Sequence, residues 1–113
     1  MITKYRNLQP NEFIVVGADT AQGGGDNCAA QFLSKTKIDV PWVYHTDKSA
    51  TEMTNDLVPL LEEIYDATRV RTVVAYERNS GGVFELERLG GLNRMGKFKI
   101  FTMPRIGNIE HQE

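Results

Sequence analysis

Asp19 and Glu77 are the residues of this chain best placed to do chemistry. Asp19 follows the apolar, β-rich run that begins at Phe13, and after it comes a glycine-rich turn of Gly23, Gly24, Gly25 and Asp26. Glu77 closes the run Arg71-Thr72-Val73-Val74-Ala75-Tyr76 and is followed by Arg78, Asn79, Ser80, Gly81 and Gly82. A run such as 13–16 is of the kind buried on both faces, so a carboxylate where it emerges is costly unless a cation or hydrogen-bond donor meets it. Two such acids at two strand ends repel each other unless a divalent ion lies between them, and hard ions such as Mg²⁺ and Mn²⁺ prefer oxygen ligands. Two ions about 3.5 to 4 Å apart, with a phosphodiester bound, can activate a water and stabilise the leaving oxygen. Metal-dependent phosphodiester hydrolysis is the chemistry this pair suits.

The elements that must carry the two acids follow from hydrophobic periodicity. Strands are expected at about 12–18, 27–35 and 40–45, the first two joined as an antiparallel hairpin through the glycine turn. Pro41 near the start of the third strand points to a sheet edge. Ser49-Ala50-Thr51-Glu52 has capping-box spacing, and Met53, Leu57, Leu60, Leu61 and Ile64 recur at helical intervals, with a kink expected at Pro59. A fourth strand over 71–77 precedes a short helix over 80–89, with Val83, Leu86 and Leu89 on one face and Gly90-Gly91 ending it. A last strand over 97–102 alternates lysine with apolar residues. The order β-β-β-α-β-α-β implies an α/β fold in which three antiparallel strands precede parallel α/β units, helices cover the faces of a mixed sheet, and strand four lies parallel beside strand one. That pairing brings Asp19 and Glu77 to one edge.

At 113 residues the chain reads as one domain with a polar lead-in over 1–11. No segment has the length of a membrane span or the apolar core of a signal peptide, so the expected setting is intracellular. Cys28 stands alone and reads as a small core hydrophobe. The net charge of −2 gives no general attraction to nucleic acid, yet the charges are polarised. Asp47, Glu52, Asp56, Glu62, Glu63 and Asp66 crowd one stretch, whereas 88–105 holds Arg88, Arg94, Lys97, Lys99 and Arg105 and no acid. Arg94, Lys97, Lys99 and Arg105 are the candidates for contacts to DNA phosphates, against the alternative of a solvated basic face.

The stretch Phe13-Ile-Val-Val-Gly-Ala-Asp19-Thr-Ala-Gln-Gly-Gly-Gly-Asp26, then Val43-Tyr44-His45, then Val74-Ala75-Tyr76-Glu77-Arg78-Asn79-Ser80-Gly81-Gly82, resembles the nuclease domain of the large terminase subunit of tailed bacteriophages. The resemblance runs from about residue 12 to 105. It implies a ribonuclease H-like fold and an endonuclease that cuts double-stranded viral DNA with two Mg²⁺ or Mn²⁺ ions held by three acids. By this resemblance Asp19 bridges both metals and Glu77 is the second ligand. Asn79, Gly81 and Gly82 shape the turn behind Glu77, and Gly23, Gly24, Gly25 and Asp26 the turn behind Asp19. The implied partners are a packaging ATPase domain, the small terminase subunit and the portal, in the cytoplasm of a bacterial host and with no membrane. The family's third acid is an aspartate from a later segment, but no aspartate follows Asp66, and Glu110, His111 and Glu113 lie in a polar tail unlike that site. No phosphate-binding loop of an ATPase is present either, so the chain reads as part of a nuclease domain, excised or from a prophage remnant.

Other readings of the same residues stay open. Asp19 and Asp26 can serve as turn or cap residues, and Glu77 can pair with Arg78. An inactive assembly or DNA-docking module, a junction-resolving nuclease of the same fold, and half of a sugar-kinase or actin-like ATPase all share parts of this pattern. The aromatic residues read as core, and His45 as a strand residue.

Overall fold

The computed structural model describes residues 1–20, 27–78 and 80–102, and these form one six-stranded mixed sheet with two helices. The strands are β1 (Ile2–Lys4), β2 (Ile14–Asp19), β3 (Cys28–Ser34), β4 (Asp39–Thr46), β5 (Thr72–Tyr76) and β6 (Phe98–Ile100). The helices are α1 (Ala50–Thr68), between β4 and β5, and α2 (Ser80–Gly91), between β5 and β6. Across the sheet the order is β1-β4-β3-β2-β5-β6; β1-β4, β4-β3 and β3-β2 pair antiparallel, and β2-β5 and β5-β6 pair parallel. The expected element order is all present, and β5, the expected fourth strand, returns parallel beside β2, the expected first.

Three expectations change. The polar lead-in contains β1, which pairs Ile2 with Tyr44 and Lys4 with Trp42. Its Lys4 ammonium lies 4.3 Å from the Trp42 ring centre and ion-pairs with Glu63 on α1, so three residues suffice to cap the sheet. Because β1 covers β4, Pro41 is not on an edge strand. It is accommodated where the β3-β4 register shifts between Phe32 and Ser34, a bulge that spares the ladder the missing N–H.

The third change matters most for function. Strand residues alternate strictly: Ile14, Val16 and Ala18 of β2, Cys28, Ala30 and Phe32 of β3, and Val74 and Tyr76 of β5 are buried. All of them join one cluster with Met53, Leu57, Leu61 and Ile64 of α1 and Leu86 and Leu89 of α2. Both helices therefore pack on one face of the sheet, not one on each. The other face carries Val15, Gly17, Ala29, Gln31, Val43 and Val73, half-buried or exposed, so β2 is buried on one side only.

Local signals explain the helices. Ser49 accepts a hydrogen bond from the Glu52 N–H at 3.2 Å, and Arg69, at φ 64°, closes α1 by donating its N–H to Tyr65. Pro59 lies within α1 without ending it. Along α2, Gly82, Glu85, Leu86 and Leu89 face inward while Val83, expected in the core, is 43% exposed. Gly90 is where α2 approaches β6: a Cβ there would come within 2.9 Å of the Ile100 Cδ1. Among the described residues no helix is long and apolar enough to cross a membrane.

Candidate metal centre

β2 and β5 run the same way, and their C-terminal ends finish level. Ala18 pairs with Tyr76, and the Glu77 N–H donates to the Ala18 carbonyl at 2.7 Å, which sets Glu77 directly beside Asp19 one residue further on. Adjacent strands stand about 4.8 Å apart, so the two backbones hold the carboxylates as neighbours. By the same alternation that buries Val16 and Tyr76, both acids lie on the sheet face without helices. In open α/β sheets ligands gather beyond the carboxyl ends of the strands, which is where these two acids lie.

The end of β5 is pinned from within. Tyr76 is buried against α1, where its hydroxyl and that of Thr54 lie 2.8 Å apart, and burial pushes its phenol up to about 12. Three strands away, the Tyr44 hydroxyl donates to Asp56 on α1 at 2.6 Å, and its pKa is raised by burial first and by that carboxylate second. A third anchor is Glu85, only 4% exposed, which accepts from Thr51 at 3.1 Å and from Arg88 at 3.2 Å. Arg88 in turn donates to the Thr51 carbonyl and to Asn55. The helix face that buries this glutamate is the one that leaves Val83 outside.

Asp19 and Glu77 are themselves exposed, which corrects the expectation of a desolvated Asp19. What distinguishes the pair is mutual. The Glu77 carboxyl is held above its ordinary range by a hydrogen bond with Asp19 and then by the repulsion of the Asp19 charge. The two carboxyls are thus near enough for the charge of one to act on the other. Over them lies a hollow of about 500 Å³, floored by Gly17, Ala29 and Ala75 and rimmed by Asp19, Glu77 and Gln31. The donor set is two hard oxygen ligands open to solvent, which suits Mg²⁺ or Mn²⁺ and no soft metal. Among the described residues no third His, Cys, Asp or Glu joins the pair in a metal-sized group.

The remaining candidates scatter. Gly81 and Gly82 open α2 immediately behind Glu77, Gly82 buried and Gly81 exposed. Gly23, Gly24, Gly25, Asp26, Asn79, Arg105, Glu110, His111 and Glu113 lie outside the described residues. Arg94 stands in the connection from α2 to β6, at the opposite end of the sheet from the carboxylates, since α2 runs away from Glu77. Lys97 ion-pairs with Asp66 at 2.8 Å, whereas Lys99 is exposed on the helix-free face opposite Val73. Cys28 is buried as expected, but Phe84 and Phe101 are 63% and 48% exposed and are not core. Position in α2 hid Phe84, because a helical stripe through Val83, Leu86 and Leu89 gives no hint that Glu85 takes the inward place.

No protein-family model matches the chain, and no curated protein matches it. The fold and site thus define it by class alone: a mixed α/β chain with a paired-carboxylate edge.

Proposed function

We propose that this chain is a metal-dependent nuclease domain of ribonuclease H-like type, related to the nuclease of phage terminase large subunits, which hydrolyses DNA phosphodiester bonds. The observation that carries the reading is the adjacency of Asp19 and Glu77 at the level ends of parallel β2 and β5, with the Glu77 carboxyl raised by its neighbour. An antiparallel trio followed by parallel units, with the first long strand beside β5, supports the ribonuclease H-like assignment. In this reading Asp19 and Glu77 would hold Mg²⁺ or Mn²⁺, and no described residue supplies the third acid that the resemblance calls for. A divalent ion in such a site supplies Lewis-acid activation of water and stabilises the leaving oxygen. The chain's own part is to hold two oxygens in fixed register: β2 and β5 set their separation, and the Tyr76–Thr54 contact sets the height of β5. By the same resemblance the substrate is double-stranded DNA, the partners are a packaging ATPase, a small terminase subunit and a portal, and the setting is the bacterial cytoplasm.

The test is cleavage of supercoiled plasmid in Mn²⁺ together with a crystal soaked in Mn²⁺. Nicking that disappears in Asp19→Asn and in Glu77→Gln, with Mn²⁺ density between the two carboxylates, is the expected result. Mn²⁺ density without cleavage marks the inactive DNA-docking module instead, and the absence of both sinks the nuclease reading.

A further inference from the structure

Gly17 lies in the interior of β2, paired with Gln31 on one side and Ala75 on the other. Glycine there weakens a strand, because it loses more conformational freedom on folding and packs no side chain. Two reasons ordinarily retain it, and neither applies. Its backbone is not in the left-handed region, and a Cβ built on it meets nothing within 4 Å. The reason that remains is the close approach of another molecule, and Gly17 forms the floor of the hollow beneath Asp19 and Glu77.

The neighbours of Gly17 specify that molecule's chemistry. The Phe101 N–H donates to the Val74 carbonyl at 2.7 Å, which carries the parallel register past the end of β6 and sets Phe101 beside Ala75. Phe98 and Ile100 face the helices, so Phe101 falls on the open face in line with Ala75, Gly17 and Gln31, about 10 Å from Gly17 across two inter-strand spacings. It is 48% exposed. Lys99, two residues earlier on the same face, is exposed and ion-pairs with no described carboxylate. An uncovered aromatic ring, a cation beside it and a floor without side chains are the parts of a stacking platform for unpaired bases. A paired duplex keeps its base faces stacked inside and offers none to such a ring.

We propose that the row Gln31–Gly17–Ala75–Phe101 is a lane for a single nucleic-acid strand. The phosphodiester is at Asp19 and Glu77, the adjoining sugar lies against Gly17 and Ala75, and the base stacks on Phe101 with Lys99 meeting the next phosphate. This rests on the nuclease reading of the carboxylate pair, and it adds that the strand under attack leaves its duplex at the site. Gly17 and Phe101 are positioning residues; they touch substrate away from the reacting bond.

Fluorescence anisotropy of the full chain with a labelled thymidine strand of about 12 nucleotides, in Ca²⁺, tests it against a duplex of equal length. The single strand is expected to bind more tightly than the duplex. Phe101→Ala and Gly17→Leu should each weaken it about tenfold, and Lys99→Ala should flatten its salt dependence. Gly17→Ala guards against a folding artefact: its Cβ has room, so its melting temperature should not fall while its affinity for the strand does. If Gly17→Leu and Phe101→Ala bind like the parent while Asp19→Asn binds weakly, the lane is wrong and the nuclease reading survives. Equal affinity for the duplex also overturns the lane. If Mn²⁺ fails to bind the carboxylates yet both lane variants still lose affinity, the nuclease reading falls and the lane stands.

Discussion

The two ends of β2 handle carboxylates in opposite ways. Below its first residue, Glu12 is only 1% exposed and fully engaged: Arg6 donates to both of its oxygens and the Gln9 N–H donates at 2.8 Å. Arg6 also reaches Asp39 at 2.8 Å, so one guanidinium ties the lead-in to β4. Beyond the last residue but one, Asp19 faces another acid, is open to solvent and has no described cation beside it. The consequence is visible in the protons: the Arg6 hydrogen bonds draw Glu12 down to about 2, while Asp19 drives Glu77 upward. Glu12 is given its counter-ion by the chain, whereas among the described residues Asp19 and Glu77 form no ion pair, an arrangement that the proposed cation would complete.

The largest expected effect that would sharpen this contrast is at the satisfied end. Glu12→Ala strips Arg6 of its buried partner and should cost about 3 kcal/mol, read as a fall in the urea midpoint. Asp19→Asn should do the reverse. It removes a repulsion, so in metal-free buffer the unfolding midpoint should rise slightly and Glu77, followed by NMR titration, should return to its ordinary range. A fall in stability in Asp19→Asn would break the comparison.

Acidity gives the next test, and its sign differs between the ends. The folded pKa of Glu12 lies below the unfolded one, so its contribution is complete above about pH 4.5 and drains away as pH falls toward 2, up to about 3 kcal/mol in all. Glu77 is shifted the other way: its protonated form favours the folded state at low pH, and that contribution is lost as pH rises through its raised value. Stability curves of Glu12→Gln and Glu77→Gln against pH should therefore depart from the parent at the acid limb in the first and, more weakly, above it in the second. The smallest expected effect is at Gly17→Ala, which relieves the strand of glycine's entropic cost and should gain about 0.5 kcal/mol by thermal melting.

Much of the frame was legible because period and burial agree. Val16, Ala18, Val74 and Tyr76 alternate with half-covered residues, and the glycine-bounded strand ends after them placed Asp19 and Glu77 side by side. What escaped was whatever depends on partners far along the chain. A continuous apolar run at 13–16 looks the same whether one face or two are covered, so the open face was not foreseen. Glu12 read as the first residue of a strand because its partner Arg6 and its neighbour Ser34 are brought to it only by folding. Glu85 displaced Val83 from the core for the same reason, since Thr51 and Arg88 satisfy it from across the α1-α2 contact.

The central claim is that Asp19 and Glu77 together bind a divalent cation. Titration calorimetry with Mn²⁺ on the full chain, repeated in buffers of different ionisation heat, tests it directly. The expected result is saturable binding with release of a proton near the raised pKa of Glu77 and a rise in melting temperature with Mn²⁺. Both should vanish in Asp19→Asn and in Glu77→Gln. Binding that is unchanged in both variants, or no heat and no thermal shift in the parent at millimolar Mn²⁺, would contradict it.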